Sequence, residues 1–162
     1  MDEIVARSLA KWPNVPAVYG WLELDRRGNW LIRSTGATGR FERIGNQALR
    51  EFIGRNYEAD ERGRWFFQNG PQRVYVKLAY TPLVVHYEGD RLFDHCGRPF
   101  ATRNAFQDNE GSVLVEGDRG IALLDDRDLE RYADLAEGLP RIARAEVESR
   151  FHFISNPSES LR

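Results

Sequence analysis

The sequence predicts an α+β fold: a mainly antiparallel sheet built from hairpins, with two or three helices. Three observations carry that expectation. Short apolar runs with a period of two are separated by turn residues, most clearly at Asn69-Gly70-Pro71 and Gly117-Asp118-Arg119-Gly120. Two longer stretches carry apolar residues at helical spacing, one behind Asn46 and one behind Asp125 or Asp126. Hydrophobic residues make up 41% and aromatic residues 12% of the 162 residues, too much apolar content for a disordered chain. One domain of this size buries roughly 70% of the surface its unfolded chain exposes.

Taken in order, the chain begins with a short helix capped by Asp2, in which Ile4, Val5, Leu9 and Trp12 recur at helical spacing before Pro13 and Pro16 stop it. Residues 17–24 and 30–33 flank Asp25-Arg26-Arg27-Gly28-Asn29 and read as a hairpin. On its first strand Val18, Gly20, Leu22 and Leu24 share one face, leaving Tyr19, Trp21 and Glu23 on the other. A helix is expected over 46–57. Residues 64–68, 74–80 and 83–87 then read as a three-stranded antiparallel meander, its turns at Asn69-Gly70-Pro71 and Thr81-Pro82, and this meander is the expected sheet core. A further short hairpin is expected around Asp94-His95-Cys96-Gly97, a polar loop over 103–111, a hairpin over 112–124, a helix ending near Gly138, and a closing strand around Phe151 and Phe153. The expected domain runs over 1–155, with a disordered tail over 156–162.

Two pairs of segments recur in order. LDRRGNWL (24–31) resembles FDHCGRPF (93–100), and GRWFFQNGPQRVYVKL (63–78) resembles GSVLVEGDRGIALL (111–124). These fit two pseudo-repeated halves, 14–89 and 90–154. The helix over 46–57 has no counterpart in the second half, and hairpins look alike by chemistry alone, so duplication stays open at this level.

Charge excludes some partners. The 23 basic and 25 acidic residues nearly cancel, which leaves no broad field for nucleic acid or an anionic membrane. Lys11 and Lys77 are the only lysines; the arginines are scattered along the chain, as a GC-rich genome would produce. The single Cys96 excludes an intrachain disulfide and a multi-cysteine zinc site, and it fits a reducing cytoplasm. No apolar run approaches the roughly 18 residues of a membrane span. The histidines and the cysteine occur at no metal-ligand spacing, so neither metal nor cofactor is expected.

Candidate chemistry lies in three places. Asp94-His95-Cys96 is the densest cluster of reactive types, with His86 eight residues earlier; a small hydrolase or thiol-dependent enzyme would use His86, Asp94 and Cys96, since His95 and Cys96, as strand neighbours, would point apart. The stretch 34–40 is glycine-rich but lacks the lysine of a phosphate-binding loop. Finally Trp21, Trp30, Trp65 and Tyr75, with Arg64 and Arg73, put more aromatic and guanidinium groups on the first-half strands than one core face can hold. That surplus favours a non-enzymatic binding or interaction module, whose partner is a small molecule, a protein or a second copy of the chain.

The runs VPAVYGWLELDRRGNWLIR (15–33) and RGRWFFQNGPQRVYVKLAYTPLVVH (62–86) resemble a family of short proteobacterial proteins known only as conserved hypotheticals, a domain of unknown function. The resemblance implies a bacterial, cytoplasmic protein and brings no activity, ligand or site residues with it.

Overall fold

One local device recurs along the chain: the turn Asp-x-x-Gly-x. It occurs at Asp25–Asn29, Asp60–Arg64, Asp94–Arg98 and Asp108–Ser112. In each, the aspartate amide donates to the carbonyl of the fifth residue, at 3.0, 2.8, 2.8 and 3.0 Å respectively. The fifth residue's amide donates back to the aspartate carboxylate. The fourth residue sits in the left-handed region, with φ of 82, 80, 86 and 84°, where a side chain is strained and glycine is not.

The computed structural model of the protein describes residues 1–34 and 39–158, and of 134–136 only the backbone. The glycine-rich stretch 34–40 therefore lies largely outside the described residues, as does 159–162 of the tail. The described residues form twelve strands in two mixed sheets, with four α-helices. The chain divides into two compact units, one of residues 1–25, 29–79 and 153–162, the other of 26–28 and 80–152.

The first unit holds α1 (Glu3–Lys11), β1 (Val18–Leu24), β2 (Trp30–Arg33), β3 (Phe41–Arg43), α2 (Gln47–Arg55), β4 (Tyr57–Ala59), β5 (Trp65–Asn69) and β6 (Gln72–Leu78). Its sheet has the order β3-β2-β1-β6-β5-β4, in which β1 and β6 run parallel and the other neighbours antiparallel. Leu22, Leu24, Trp30, Val76 and Leu78 fill its core. Asn46 caps α2 through a 2.9 Å bond from the Leu49 amide. Asp2 precedes α1 but does not cap it with its side chain; the carboxylate instead accepts from Arg55 Nε at 3.1 Å.

The second unit holds β7 (Leu83–Glu88), β8 (Arg91–Asp94), β9 (Asn104–Asp108), β10 (Val113–Gly117), β11 (Gly120–Leu124), a 3₁₀ turn (Asp126–Asp128), α3 (Leu129–Ala136), β12 (Arg141–Ile142) and α4 (Val147–Phe151). Its sheet order is β12-β9-β10-β11-β7-β8, with β7 parallel to β11 and β12 parallel to β9.

Setting aside β3 and β12, the orders β2-β1-β6-β5-β4 and β8-β7-β11-β10-β9 are the same, each with its parallel pair in the centre. The two halves are thus similar sheets, and the hairpin β5–β6 corresponds to β10–β11 as their sequences suggest. The other expected match shifts: the Asp25 turn joins β1 to β2, whose counterpart is the turn between β7 and β8, whereas the Asp94 turn comes after β8.

Several expectations are corrected. The meander is not one sheet: β6 and β7 belong to different sheets, and Thr81-Pro82 links them. The chain passes from the first compact unit to the second at Ala79–Tyr80. The polar loop over 103–111 contains β9, which escapes notice because among its residues only Phe106 is a buried apolar side chain. The expected closing strand is α4, ended by His152 in the left-handed conformation, φ 57°. Beyond the Asp94 turn the expected strand reduces to a single bridge, Phe93 to Pro99.

Candidate functional site

The alternation of β5 and β6 sends Phe66 and Tyr75, which face each other across the strands, to the sheet face opposite the Val76 and Leu78 core. Tyr19 reaches that face from β1 and stacks on Tyr75, with ring centroids 4.8 Å apart and planes 10° apart. Glu58, opposite Phe66 on β4, shares the face. The Asp60 turn brings in Arg64, whose Nε donates to Asp60 at 2.8 Å and whose Nη2 donates to the Tyr75 hydroxyl at 3.1 Å. The Tyr75 hydroxyl in turn donates to Asp60 at 2.9 Å. Arg73 lies with its guanidinium 3.8 Å from the centre of the Phe66 ring and donates to the Tyr75 hydroxyl at 3.4 Å. Together these groups line an open cleft of about 670 Å³, completed by Glu61 and Arg62.

The electrostatics follow from this network. Burial works against the Asp60 carboxylate, but hydrogen bonds from the Arg64 and Arg62 amides, the Tyr75 hydroxyl and the Arg64 guanidinium outweigh it and hold the group below the usual carboxylate range. Burial raises Tyr75, helped by its bond to ionised Asp60, so the hydroxyl keeps its proton. Arg64 and Asp60 neutralise each other. Arg73 forms no ion pair among the described residues, so its charge faces the cleft uncompensated.

Of the residues singled out from the sequence, Arg64, Arg73 and Tyr75 meet here. Trp30 and Trp65 do not: they are 1% and 7% exposed and belong to the core, Trp30 edge-on to Tyr57 and Trp65 tilted against the same ring. Trp21 is 43% exposed and stands elsewhere. Gly20, φ 78°, lies in a register shift between Val18 and Leu22, which turns Trp21 to the side of Leu22 instead of Tyr19. There it lines an apolar groove of about 460 Å³ with Ile32, Leu49 and Ile53. Sequence reasoning missed Asp60, Glu58 and Tyr19 as site residues; the Asp60…Gly63 spacing was the available signal.

The reactive group of the second unit does not converge. His86 pairs with Phe93 and Asp94 with Val85 across β7 and β8, so His86 and Asp94 leave opposite faces. Asp94 accepts from the Cys96 and Arg98 amides and from Arg119 Nη1 at 3.1 Å. His95 and Cys96 do approach, Sγ to Nε2 at 3.7 Å, because they sit in a turn rather than on a strand. Burial, with Asp94 nearby, pushes the Cys96 thiol up to about 12, the opposite of what a thiolate nucleophile needs. Burial likewise takes His95 down to about 4, leaving a neutral ring whose Nδ1 accepts from the Val84 amide at 3.2 Å. Among the described residues no group of three or more His, Cys, Asp or Glu side chains is placed to hold a metal ion. No helix there is long and apolar enough to cross a membrane.

Residues 1–158 match the model of the DUF2944 family, described as "Protein of unknown function (DUF2946)". The chain belongs to that family. No curated protein sequence matches it. A crystal structure of a DUF1285 family protein from Silicibacter pomeroyi DSS-3 is similar, with a TM-score of 0.52 and 19% identity over 83% of this chain and 85% of that one, a likeness of fold. A DUF1285 family protein from Shewanella baltica OS155 has a TM-score of 0.46 and 13% identity over 70% of this chain and 90% of that one. No specific function comes with the family or with these structures.

Proposed function

We propose that this DUF2944 family member is a binding module whose first unit takes a small carboxylate-bearing molecule into the Tyr19–Phe66–Arg73 cleft. The observation that carries this reading is Arg73. Its guanidinium lies over Phe66, is steadied by the Tyr75 hydroxyl and is left without a carboxylate partner, so an anion can take its remaining donors at little ordering cost. Binding without turnover is supported by the dispersal of His86, Asp94 and Cys96. A bacterial, reducing, cytoplasmic setting belongs to this reading, and the single half-buried cysteine supports the reducing environment.

The test is a titration of the ¹⁵N-labelled protein with hexanoate and with 6-aminohexanoate. Saturable amide shifts at Tyr19, Phe66 and Arg73, lost in Arg73→Gln, are expected for at least one probe. If neither probe moves those amides, or if Arg73→Gln leaves binding intact, the reading fails.

A second reading, self-association through the groove beside α2, is favoured by the exposure of Trp21, Ile32 and Leu49 around it. A solution mass by light scattering decides it: a monomer, or a dimer that Trp21→Glu leaves unchanged, removes the groove as the contact.

A further inference from the structure

We infer that the ligand of this cleft is zwitterionic, with its cation and its anion separated by several bonds, as in an ω-amino acid or a short peptide. This rests on the carboxylate reading above and adds a second group to it. The cleft carries charges of both signs that do not satisfy each other. Asp60 is spoken for by Arg64 and Tyr75. Glu58 and Glu61 are exposed at the rim and, among the described residues, form no ion pair, while Arg73 is the unpaired cation. A ligand with negative charge alone would meet Glu58 and Glu61 as repulsion, and one with positive charge alone would meet Arg73 the same way. A molecule with one group of each sign is attracted at both places.

The geometry sets the separation. Glu58 is directly opposite Phe66 across β4 and β5, about 5 Å away at the backbone. Arg73 reaches back from β6 to lie over that same Phe66 ring. Glu58 on β4 and Arg73 on β6 thus start from strands on either side of β5, roughly 10 Å apart at the backbone, and no ion pair joins them among the described residues. The α-amino and α-carboxyl groups of a single amino acid sit on one carbon and are too close together to satisfy both. A short linear spacer between the two groups lies along the cleft beside Tyr19, where its methylene groups lose water contact.

A probe trio with one carbon skeleton tests this on the whole chain: 6-aminohexanoate, hexanoate and hexylammonium, each titrated by amide shifts at Glu58, Phe66 and Arg73. The zwitterion is expected to bind about tenfold or more tighter than either singly charged probe. Glu58→Gln is expected to bring 6-aminohexanoate close to the affinity of hexanoate while leaving hexanoate unchanged or improved. Arg73→Gln weakens 6-aminohexanoate and hexanoate alike. Both substitutions are on exposed or half-exposed side chains, and retained spectra of the core amides show that the fold is intact. If hexanoate binds as tightly as 6-aminohexanoate and Glu58→Gln changes nothing, the zwitterion inference is overturned while the carboxylate reading stands. If hexylammonium binds as well as the zwitterion and ignores Arg73→Gln, both are overturned.

Discussion

Counting back from the hairpin turns, the fourth cross-strand pair is Phe66 with Tyr75 in the first unit and Leu114 with Leu123 in the second. Six residues earlier each strand begins from the same turn, Asp60 in one and Asp108 in the other, with the same hydrogen bonds and the same left-handed glycine. The turns differ in what they hold. Asp60 organises Arg64 and Tyr75 beside an open cleft. Asp108 accepts the Tyr80 hydroxyl at 2.8 Å, and that ring is covered by the guanidinium groups of Arg26 and Arg144, 5.2 and 4.7 Å from its centre. The same strand order is therefore compatible with a plain leucine face. The tyrosines and arginines of the first unit are not demanded by the scaffold, which is why that face is the place to look for function.

The largest expected effect that sharpens this comparison is at the two aspartates. Asp108→Ala leaves the Ser112 and Glu110 amides and the Tyr80 hydroxyl unpaired at a site 1% exposed, and urea denaturation should show a loss of about 3 kcal/mol. Asp60→Ala should cost less, about 2 kcal/mol, because water in the open cleft can reach the groups it abandons. Equal losses would mean that the cleft is not wet.

Acidification separates the units next. His95, in the second unit, is lowered from an ordinary 6.5 to about 4 by burial, so between those values the unfolded chain binds a proton that the folded chain refuses. Its contribution is fully present above 6.5 and is lost as pH falls towards 4, with a slope of at most ~1.4 kcal/mol per pH unit. Asp60, held below its ordinary 3.8, contributes above that value and fails only as pH falls beneath it. Protection of the Val84 amide against hydrogen exchange, taken relative to the intrinsic rate at each pH, should therefore fall between roughly pH 6 and 4, before protection of the Arg64 amide does. The reverse order would show that His95 is not the weak point.

A smaller, symmetrical effect is expected at the turn glycines. Gly63→Ala and Gly111→Ala should each cost about 1 kcal/mol, since both hold the same left-handed conformation. Gly28→Ala should cost more than either, because the new Cβ would lie 2.7 Å from the His95 Cβ. The smallest effect on stability belongs to Arg73→Gln, within about 0.5 kcal/mol by thermal unfolding, although ligand binding should be lost. A large stability loss there would make Arg73 a structural residue.

Most elements could be read from local pattern. The hairpins at Asn69-Gly70 and Gly117–Gly120, the cap at Asn46 and the alternation of Val74, Val76 and Leu78 against Lys77 are all consequences of neighbours a few residues apart. Of the site, Arg64, Arg73 and Tyr75 were legible as an aromatic and guanidinium surplus on one strand pair. Trp30 and Trp65 were not separable from them, because burial depends on which face the rest of the chain covers. Trp21 went to a different face from Tyr19 through the irregularity at Gly20, which a strict period of two cannot foresee.

By itself the sequence determined the turns at Asp25 and Asp94, the hairpins at Asn69-Gly70 and Gly117–Gly120 and the two main helices, since each depends on the φ preference of glycine, the carboxylate of a nearby aspartate or the spacing of apolar side chains within one element. Only the tertiary structure decided that Thr81-Pro82 leaves one sheet for another, that β1 lies parallel to β6 and β7 to β11, and that Tyr19, Glu58, Phe66 and Arg73 meet in one cleft. Those are pairings between residues up to dozens of positions apart, and a strand edge carries no local mark of which distant edge will complete its hydrogen bonds.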